Sequence, residues 1–189
     1  LLLYCALTSA YSFALKRILL VDCIVLAGLY TLRIVAGAQA MAQPMSLWLL
    51  GFSFFLFLSL SYVKRFTEVS AAAQSGEDAS PDKKIAGRGY LVSDAPILAL
   101  LGVGAGYASA VILANYLNSE TILQLYARPS FLAGLVPILL FWISWVWLKA
   151  SRGEMQDDPV IFAVRDRVSQ LAGAAFALVV LLGAKGLPW

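Results

Sequence analysis

Six long apolar runs, separated by charged loops, constrain the fold of this chain more than any other feature. A helix needs roughly 20 mostly apolar residues to cross a bilayer, and its backbone polar groups must be satisfied within the segment. Alternating polarity of the kind found in membrane barrels is absent. We therefore predict an all-α bundle of transmembrane helices. The six predicted helices cover residues 1–15, 18–41, 47–63, 95–117, 129–148 and 168–184.

Composition supports a membrane protein and excludes several kinds of site. The sequence is 61% hydrophobic and only 13% charged, whereas a soluble domain has about a quarter of its residues charged. There is no His, which excludes imidazole catalysis and His-ligated metals. Cys5 and Cys23 lie in apolar runs and are interpreted as packing residues. No P-loop, dinucleotide fingerprint or nucleophile elbow is present, and we expect no nucleic-acid partner.

The loops differ sharply in charge. Eleven of the 14 Lys and Arg residues fall at 16–17, 64–88 and 149–167, on one predicted side of the membrane. The positive-inside rule places these loops in the cytoplasm, and we expect the inner membrane of a bacterium. The opposite loops, 42–46 and 118–128, are interpreted as simple turns.

Most of the acidic residues lie in the same loops, and topology alone does not explain them because Asp and Glu contribute little to orientation. Carboxylates can hold Mg²⁺, and Lys and Arg can hold phosphate oxygens. An enzyme that activates a diphosphate leaving group needs both. The two loop regions 64–94 and 149–167 are therefore the predicted site.

Two ionisable residues, Asp22 and Arg33, lie inside the second predicted helix. Eleven residues are about three turns, so both share a face at roughly 16 Å separation. They are too far apart to pair, and each needs another partner in the membrane. Asp22 is interpreted as the floor of a cytoplasm-facing site, with a purely structural polar cluster as the alternative.

Local patterns predict the ends of helices. Lys64, Arg65 and Glu68 share one turn at the cytoplasmic edge of the third helix. Gly87 and Gly89 predict a turn that exposes the guanidinium of Arg88 between them.

Two further patterns predict helix starts. Asp94 is expected to cap the fourth helix, with Pro96 in its first turn. Asp158 is expected to cap a final helix that starts at Pro159 and runs to about Ala184 without interruption. Capping alone would explain Asp158, but it does not explain the surrounding cations.

The segments YSFALKRILLVDCIVLAGLYTLRIVAGA and WLLGFSFFLFLSLSYVKRFTEV resemble the UbiA superfamily of membrane prenyltransferases, and most of all its decaprenyl-phosphate phosphoribosyltransferase branch. The resemblance covers nearly the whole chain. The matching features are Tyr11 before Lys16, Asp22 six residues later, Arg33 with Gly37-Ala38, the motif of Lys64, Arg65 and Glu68, and the Arg165-Asp166-Arg167 triplet.

The resemblance implies a nine-helix fold around a cavity open to the cytoplasm, of which this chain supplies the fourth to ninth helices. Residues 1–189 would then be one UbiA-type domain truncated at its N-terminus. The first Asp-rich motif of the family, NDxxDxxxD, is absent and is expected in upstream sequence. KRFTEV stands where typical prenyltransferases carry a second Asp-rich motif, which favours the phosphoribosyl branch.

The implied reaction is Mg²⁺-dependent transfer of 5-phosphoribose from phosphoribosyl pyrophosphate to a polyprenyl phosphate. The resemblance implies catalytic roles for Asp22, Lys64 and Glu68, with Glu68 as a Mg²⁺ ligand. Asp158 and Asp166 would orient cations. The implied phosphate-binding residues are Tyr11, Lys16, Arg33, Arg65, Arg88, Arg152 and Arg165.

Three alternatives stay open. The first is a UbiA-type prenyltransferase that uses a prenyl diphosphate and an aromatic or isoprenoid acceptor. The second is a transporter, which predicts charges through the depth of the membrane and inverted repeats. The third is a membrane subunit without catalytic activity. The five Trp residues fit interfacial belts or contacts between copies of the chain, which leaves a homo-oligomer open.

Overall fold

The computed structural model describes residues 2–41, 46–74, 80–155 and 158–185, and these ranges are helical apart from their connections. No β-strand forms in them, and Lys84 and Leu91 make an isolated bridge. The all-α prediction is confirmed. The helices are α1 Leu2–Phe13, α2 Val21–Ala40, α3 Leu47–Gln74, α4 Ala95–Leu117, α5 Glu120–Leu125, α6 Leu135–Ser151, α7 Pro159–Arg165 and α8 Arg167–Lys185, with 3₁₀ turns at Leu15–Arg17, Val92–Asp94 and Pro129–Gly134.

Within the described ranges, five helical segments are long and apolar enough to cross a bilayer. Apolar side chains such as Leu100 and Val111 point outward from them, as expected where lipid replaces water. The chain is therefore a membrane protein. The first predicted helix differs, because α1 has only 12 described residues. The five segments are Val21–Ala40, Leu47–Gln74, Val92–Leu117, Pro129–Ser151 and Arg167–Ala184.

Three helical regions differ from their predicted bounds. The third helix continues past the predicted apolar run 47–63 to Gln74, and the shared helical turn predicted for Lys64, Arg65 and Glu68 is confirmed. Residues 118–128 contain α5 rather than a simple turn. The predicted last helix is broken at Asp166, whose ψ of 124° is extended. Its carboxylate accepts the Ser169 N–H at 2.8 Å, so it caps a new helix instead of continuing the old one.

Close packing of α3, α4 and α6 depends on small residues. Ser59 Oγ donates to the Gly102 carbonyl at 2.7 Å and accepts from Trp147 Nε1 at 3.1 Å. An added Cβ at Gly102 would lie 2.1 Å from the Trp147 ring. Small and hydroxyl-bearing residues at helix contacts are typical of membrane bundles. Cys23 is buried, as its predicted packing role requires, whereas the Cys5 side chain, like residues 42–45 and 75–79, lies outside the description.

Candidate functional site

A buried ion pair joins α2 to α3. Arg65 Nε lies 2.7 Å from Asp22 Oδ2, and the side chains are 1% and 0% exposed. The other Asp22 oxygen accepts the Tyr90 hydroxyl at 2.6 Å and the Cys23 N–H at 2.8 Å. A buried charge is tolerated when it is paired and further hydrogen-bonded. Asp22 thus finds its partner on the neighbouring helix, as its position in the sequence requires.

The pair extends outward through further charges. The Arg65 guanidinium contacts the Glu68 carboxylate one turn later and also lies 3.5 Å from the Tyr11 hydroxyl. Glu68 Oε2 in turn lies 3.5 Å from Arg88 Nε. Side chains from α1, α2, α3 and the loop before α4 therefore meet at one end of the helices. We name these six residues the Arg65 cluster: Tyr11, Asp22, Arg65, Glu68, Arg88 and Tyr90.

Tyr90 is the member that the sequence did not reveal. It is 1% exposed, and its hydroxyl accepts the Leu20 N–H at 3.0 Å while donating to Asp22. Burial, followed by the hydrogen bond to Asp22, raises the Tyr90 pKa above its usual value, so the hydroxyl stays a donor. The available signal was an aromatic residue directly after the Gly-Arg-Gly turn, in GRGYLV.

Arg88 lies differently from its prediction. The predicted turn is present, with Gly87 at φ +73°, a conformation that favours glycine. The guanidinium is only partly exposed to solvent, however. The side chain is only 19% exposed, with Nη1 placed 3.4 Å from the Lys16 carbonyl and Nε facing Glu68. Lys16 therefore contributes its backbone oxygen to this contact.

A second ion pair borders the cluster. Lys64 Nζ lies 2.7 Å from Asp158 Oδ2, and Asp158 Oδ1 accepts the Val160 N–H at 3.1 Å. The predicted cap before Pro159 is confirmed. Burial raises the Asp158 pKa, but the hydrogen bonds from Lys64 and Val160 outweigh it and leave this pKa below its usual value. The last helical region is thereby tied to α3.

Four predicted site residues lie away from the cluster and from the Lys64–Asp158 pair: Arg33, Arg152, Arg165 and Asp166. Arg33 donates from Nε and Nη2 to the Tyr4 hydroxyl at 2.9 and 2.7 Å, and its guanidinium stacks over Tyr30. Arg152 and Arg165 are exposed, one at the end of α6 and the other at the end of α7.

Asp166 and Asp94 both make local contacts. Asp166 accepts from Trp145 Nε1 at 2.9 Å; burial raises its pKa, but hydrogen bonds from Ser169 and Trp145 outweigh this and lower it. Asp166 caps α8, and its predicted role of orienting cations stays a prediction. Asp94 accepts from Leu91 rather than from an amide of α4, while Pro96 lies in the first turn of α4 as predicted.

The donor set in the cluster does not suit Mg²⁺ on its own. In the described part of the chain, no group of three or more Cys, Asp or Glu side chains is placed to hold a metal. The two carboxylates of the cluster, Asp22 and Glu68, are both in contact with Arg65. A hard cation would compete with that guanidinium for the same oxygens. The two Arg side chains of the cluster balance its two carboxylates in charge.

Two curated relatives align with nearly the whole chain. The chain is 39% identical over 175 residues to "Uncharacterized protein y4nM" of Sinorhizobium fredii, which covers 92% of this chain and 33% of that protein. It is 37% identical over 182 residues to "Nodulation protein NoeC" of Azorhizobium caulinodans, which covers 95% of this chain and 57% of that protein. The chain thus spans about a third of one relative and just over half of the other. No protein-family model matches it.

Proposed function

We propose that this chain belongs to a UbiA-type membrane transferase and supplies its fourth to ninth helices. It would transfer 5-phosphoribose from phosphoribosyl pyrophosphate to a polyprenyl phosphate. In this proposal the Arg65 cluster faces the cytoplasm of a bacterial cell from the inner membrane. The polyprenyl chain would lie among the apolar helices while its phosphate reaches the cluster.

One observation carries the proposal: the buried Arg65–Asp22 pair lies at the end of apolar helices and continues through Glu68 and Arg88. A buried charge network is costly in a membrane protein and marks a functional site by default. Its position at the mouth of a helix bundle suits a substrate with an apolar chain and a phosphate head.

The reaction needs charge neutralisation more than proton transfer. An oxygen of the lipid phosphate attacks the anomeric carbon of the ribose, and the bond from that carbon to pyrophosphate breaks. The leaving pyrophosphate takes the electron pair and carries the negative charge. Arg65, Arg88 and Lys64 would stabilise that charge, because fixed cations in a site shielded from water act strongly on developing charge. Tyr11 and Asp22 would hold Arg65 in place.

The Mg²⁺ that the resemblance implies has no ligand set of its own among the described residues. No step of the proposed mechanism therefore passes through it. Mg²⁺ dependence stays a prediction, with Glu68 as the residue that a metal would contact first, because its carboxylate lies toward the surface end of the cluster.

The test is a transfer assay with the full-length protein in vesicles. Labelled phosphoribosyl pyrophosphate and a polyprenyl phosphate are added, with Mg²⁺ or with chelator, and label entering the lipid phase is counted. We expect transfer by the wild type and at least a hundredfold loss with Arg65→Gln, about the loss seen when one stabilising donor is removed. Lys149→Gln, which removes a cation at the same end, is the matched control and should retain activity.

Two results would overturn the proposal. The first is that no label enters the lipid phase with the wild-type protein. The second is that transfer is unchanged in the Arg65→Gln variant, once its thermal unfolding transition has shown that the variant is folded. Pyrophosphate release from a prenyl diphosphate in the parallel reaction would instead indicate the ordinary prenyltransferase.

A further inference from the structure

A second group of cations lies beside the Arg65 cluster. Arg17, Lys84 and Arg88 surround a concavity of about 450 Å³, whose remaining wall is the turn Ile85–Gly87. No acidic residue is among the six lining residues. We name these six residues the basic cup. Arg17 and Lys84 were not among the predicted site residues.

The cup is held in place by its surroundings. On its loop side, the Ile85 N–H donates to the Tyr90 carbonyl at 2.9 Å and the Arg88 N–H to the Ile85 carbonyl at 3.1 Å. Tyr90 then anchors the loop to Asp22 through its hydroxyl. The turn that carries Lys84 and Arg88 is therefore fixed to the buried ion pair.

The side that carries Arg17 is equally constrained. A Cβ at Gly89 would lie 2.8 Å from the Arg17 carbonyl, so the loop backbone and the 3₁₀ turn Leu15–Arg17 are in direct contact. Arg88 also reaches the Lys16 carbonyl. The two backbone segments that carry these cations are thus held against each other, which reduces the ordering cost of binding an anion.

We propose that the basic cup binds a phosphate monoester. Three cations and no lining carboxylate suit a compact dianion, and two of the three are Arg, which bind phosphate bidentately. The shared chemistry has two sources, a soluble sugar phosphate and a lipid phosphate. On the proposed function, on which this assignment rests, the ligand is the 5-phosphate of phosphoribosyl pyrophosphate.

Arg88 gives the cup its connection to the reaction. It lines the cup and also lies 3.5 Å from Glu68 in the Arg65 cluster. A donor with a monoester at one end and a pyrophosphate at the other would occupy the cup and the cluster together. The cup would then fix the ribose ring relative to the leaving group, which is where positioning contributes to rate.

The test measures binding and not turnover. Ribose 5-phosphate and ribose are titrated into the purified full-length protein by calorimetry, and vesicles of phosphatidylcholine with and without phosphatidic acid are tested in parallel. We expect ribose 5-phosphate but not ribose to bind. Lys84→Gln and Arg17→Gln should each weaken binding about tenfold, the loss of one charge-assisted contact, and Lys84→Arg should restore it.

Lys149→Gln is the matched control, because it removes a cation that is already engaged by Glu154 and Trp145 outside the cup. We expect less than a twofold change. If Lys84 is needed only for binding to vesicles that contain phosphatidic acid, the basic cup is still a phosphate site, and its ligand is a lipid phosphate. The proposal would be overturned if Lys84→Gln, Arg17→Gln and Lys149→Gln weakened binding equally. It would also be overturned if Lys84→Gln changed the binding of neither ribose 5-phosphate nor phosphatidic acid vesicles.

The two proposals fail separately. If ribose 5-phosphate binding depends on Lys84 but no label is transferred to the lipid, the phosphate site is supported and the proposed transferase function is wrong. If the Lys84→Gln variant transfers label as well as the wild type at every concentration of phosphoribosyl pyrophosphate, the transferase function is supported and the proposed role of the basic cup is wrong.

Discussion

Arg65 Nε lies 2.7 Å from Asp22 Oδ2 across the contact between α3 and α2, and neither side chain is more than 1% exposed. Removing Asp22 leaves the buried Arg65 with Glu68 as its carboxylate partner. It also leaves the buried Tyr90 hydroxyl without its acceptor. We therefore expect Asp22→Ala to lower the free energy of unfolding by about 3–5 kcal/mol. Thermal unfolding in detergent, followed by tryptophan fluorescence, measures the change.

The control for this prediction is the pair of Lys149 and Glu154, which is partly exposed. Glu154→Gln should cost at most about 1 kcal/mol, because solvent screens a surface ion pair. Similar losses in Asp22→Ala and Glu154→Gln protein would contradict the importance given to the buried pair.

Gly102 and Gly104 provide a matched test of helix packing on α4. A Cβ at Gly102 would overlap the Trp147 ring and lie 2.8 Å from the Tyr62 Cβ, whereas a Cβ at Gly104 meets nothing within 4 Å. Gly102→Ala should therefore destabilise the protein by about 1–3 kcal/mol. Gly104→Ala should be neutral or slightly stabilising, because Ala favours a helix over Gly. The melting temperatures of the two variants measure this difference. Equal melting temperatures would show that the contact between α4 and α6 can adjust to an added methyl group at Gly102.

Asp158 connects α7 to Lys64, and this connection should depend on pH. Its pKa is below the usual value of 3.8 in the folded protein. A lowered pKa stabilises the folded state above the unfolded pKa, and that stabilisation is lost as the pH falls through the folded pKa. We expect hydrogen exchange at residues 160–165, corrected for the intrinsic rate, to be protected at neutral pH and to lose protection below about pH 4.

Two substitutions separate the roles of Asp158. Asp158→Asn keeps a side-chain acceptor for Val160 but removes the charge, so its protection should be lower and independent of acidic pH. Asp158→Ala also removes the cap and should lose about 1 kcal/mol more. Protection that falls with pH in the Asn variant as steeply as in the wild type would assign the effect to another group.

Arg33 tests the boundary of the site. It lies eleven residues from Asp22, about 16 Å along α2, and its guanidinium is engaged by Tyr4 and Tyr30. We expect Arg33→Gln to leave ribose 5-phosphate binding and transfer within twofold of the wild type, whereas Arg65→Gln should lower transfer at least a hundredfold. A large loss of transfer in a stably folded Arg33→Gln protein would extend the site to this region.

The membrane helices were predictable because the length of each apolar run can be read directly from the sequence. The runs at 95–117 and 47–63 gave the position of a membrane segment without any knowledge of its neighbours. The apolar run stops at Val63 although α3 continues to Gln74, because charged residues leave the apolar pattern while keeping good helix propensity. Hydropathy measures where a helix enters lipid and not where the helix ends.

The site was predictable in its membership more than in its contacts. Asp22 needed a partner, but the choice of Arg65 depends on the register of two helices, 43 residues apart in sequence, which no local pattern encodes. Arg88 was expected at the surface and turned inward because the Lys16 carbonyl and Glu68 both lie in reach. The cap at Asp166 did have a local signal, an acid followed three residues later by Ser169.

The break at Asp166 separates two helices, α7 and α8, that are attached to the rest of the protein in different ways. α8 has the length of a membrane segment, and such a helix changes its tilt when the thickness of the bilayer changes. α7 is joined to it through one extended residue and is held to α3 by Asp158 and Lys64. We expect a change in the tilt of α8 to be taken up first at Asp166, which would limit its effect on α3 and on the polar network at the end of α3.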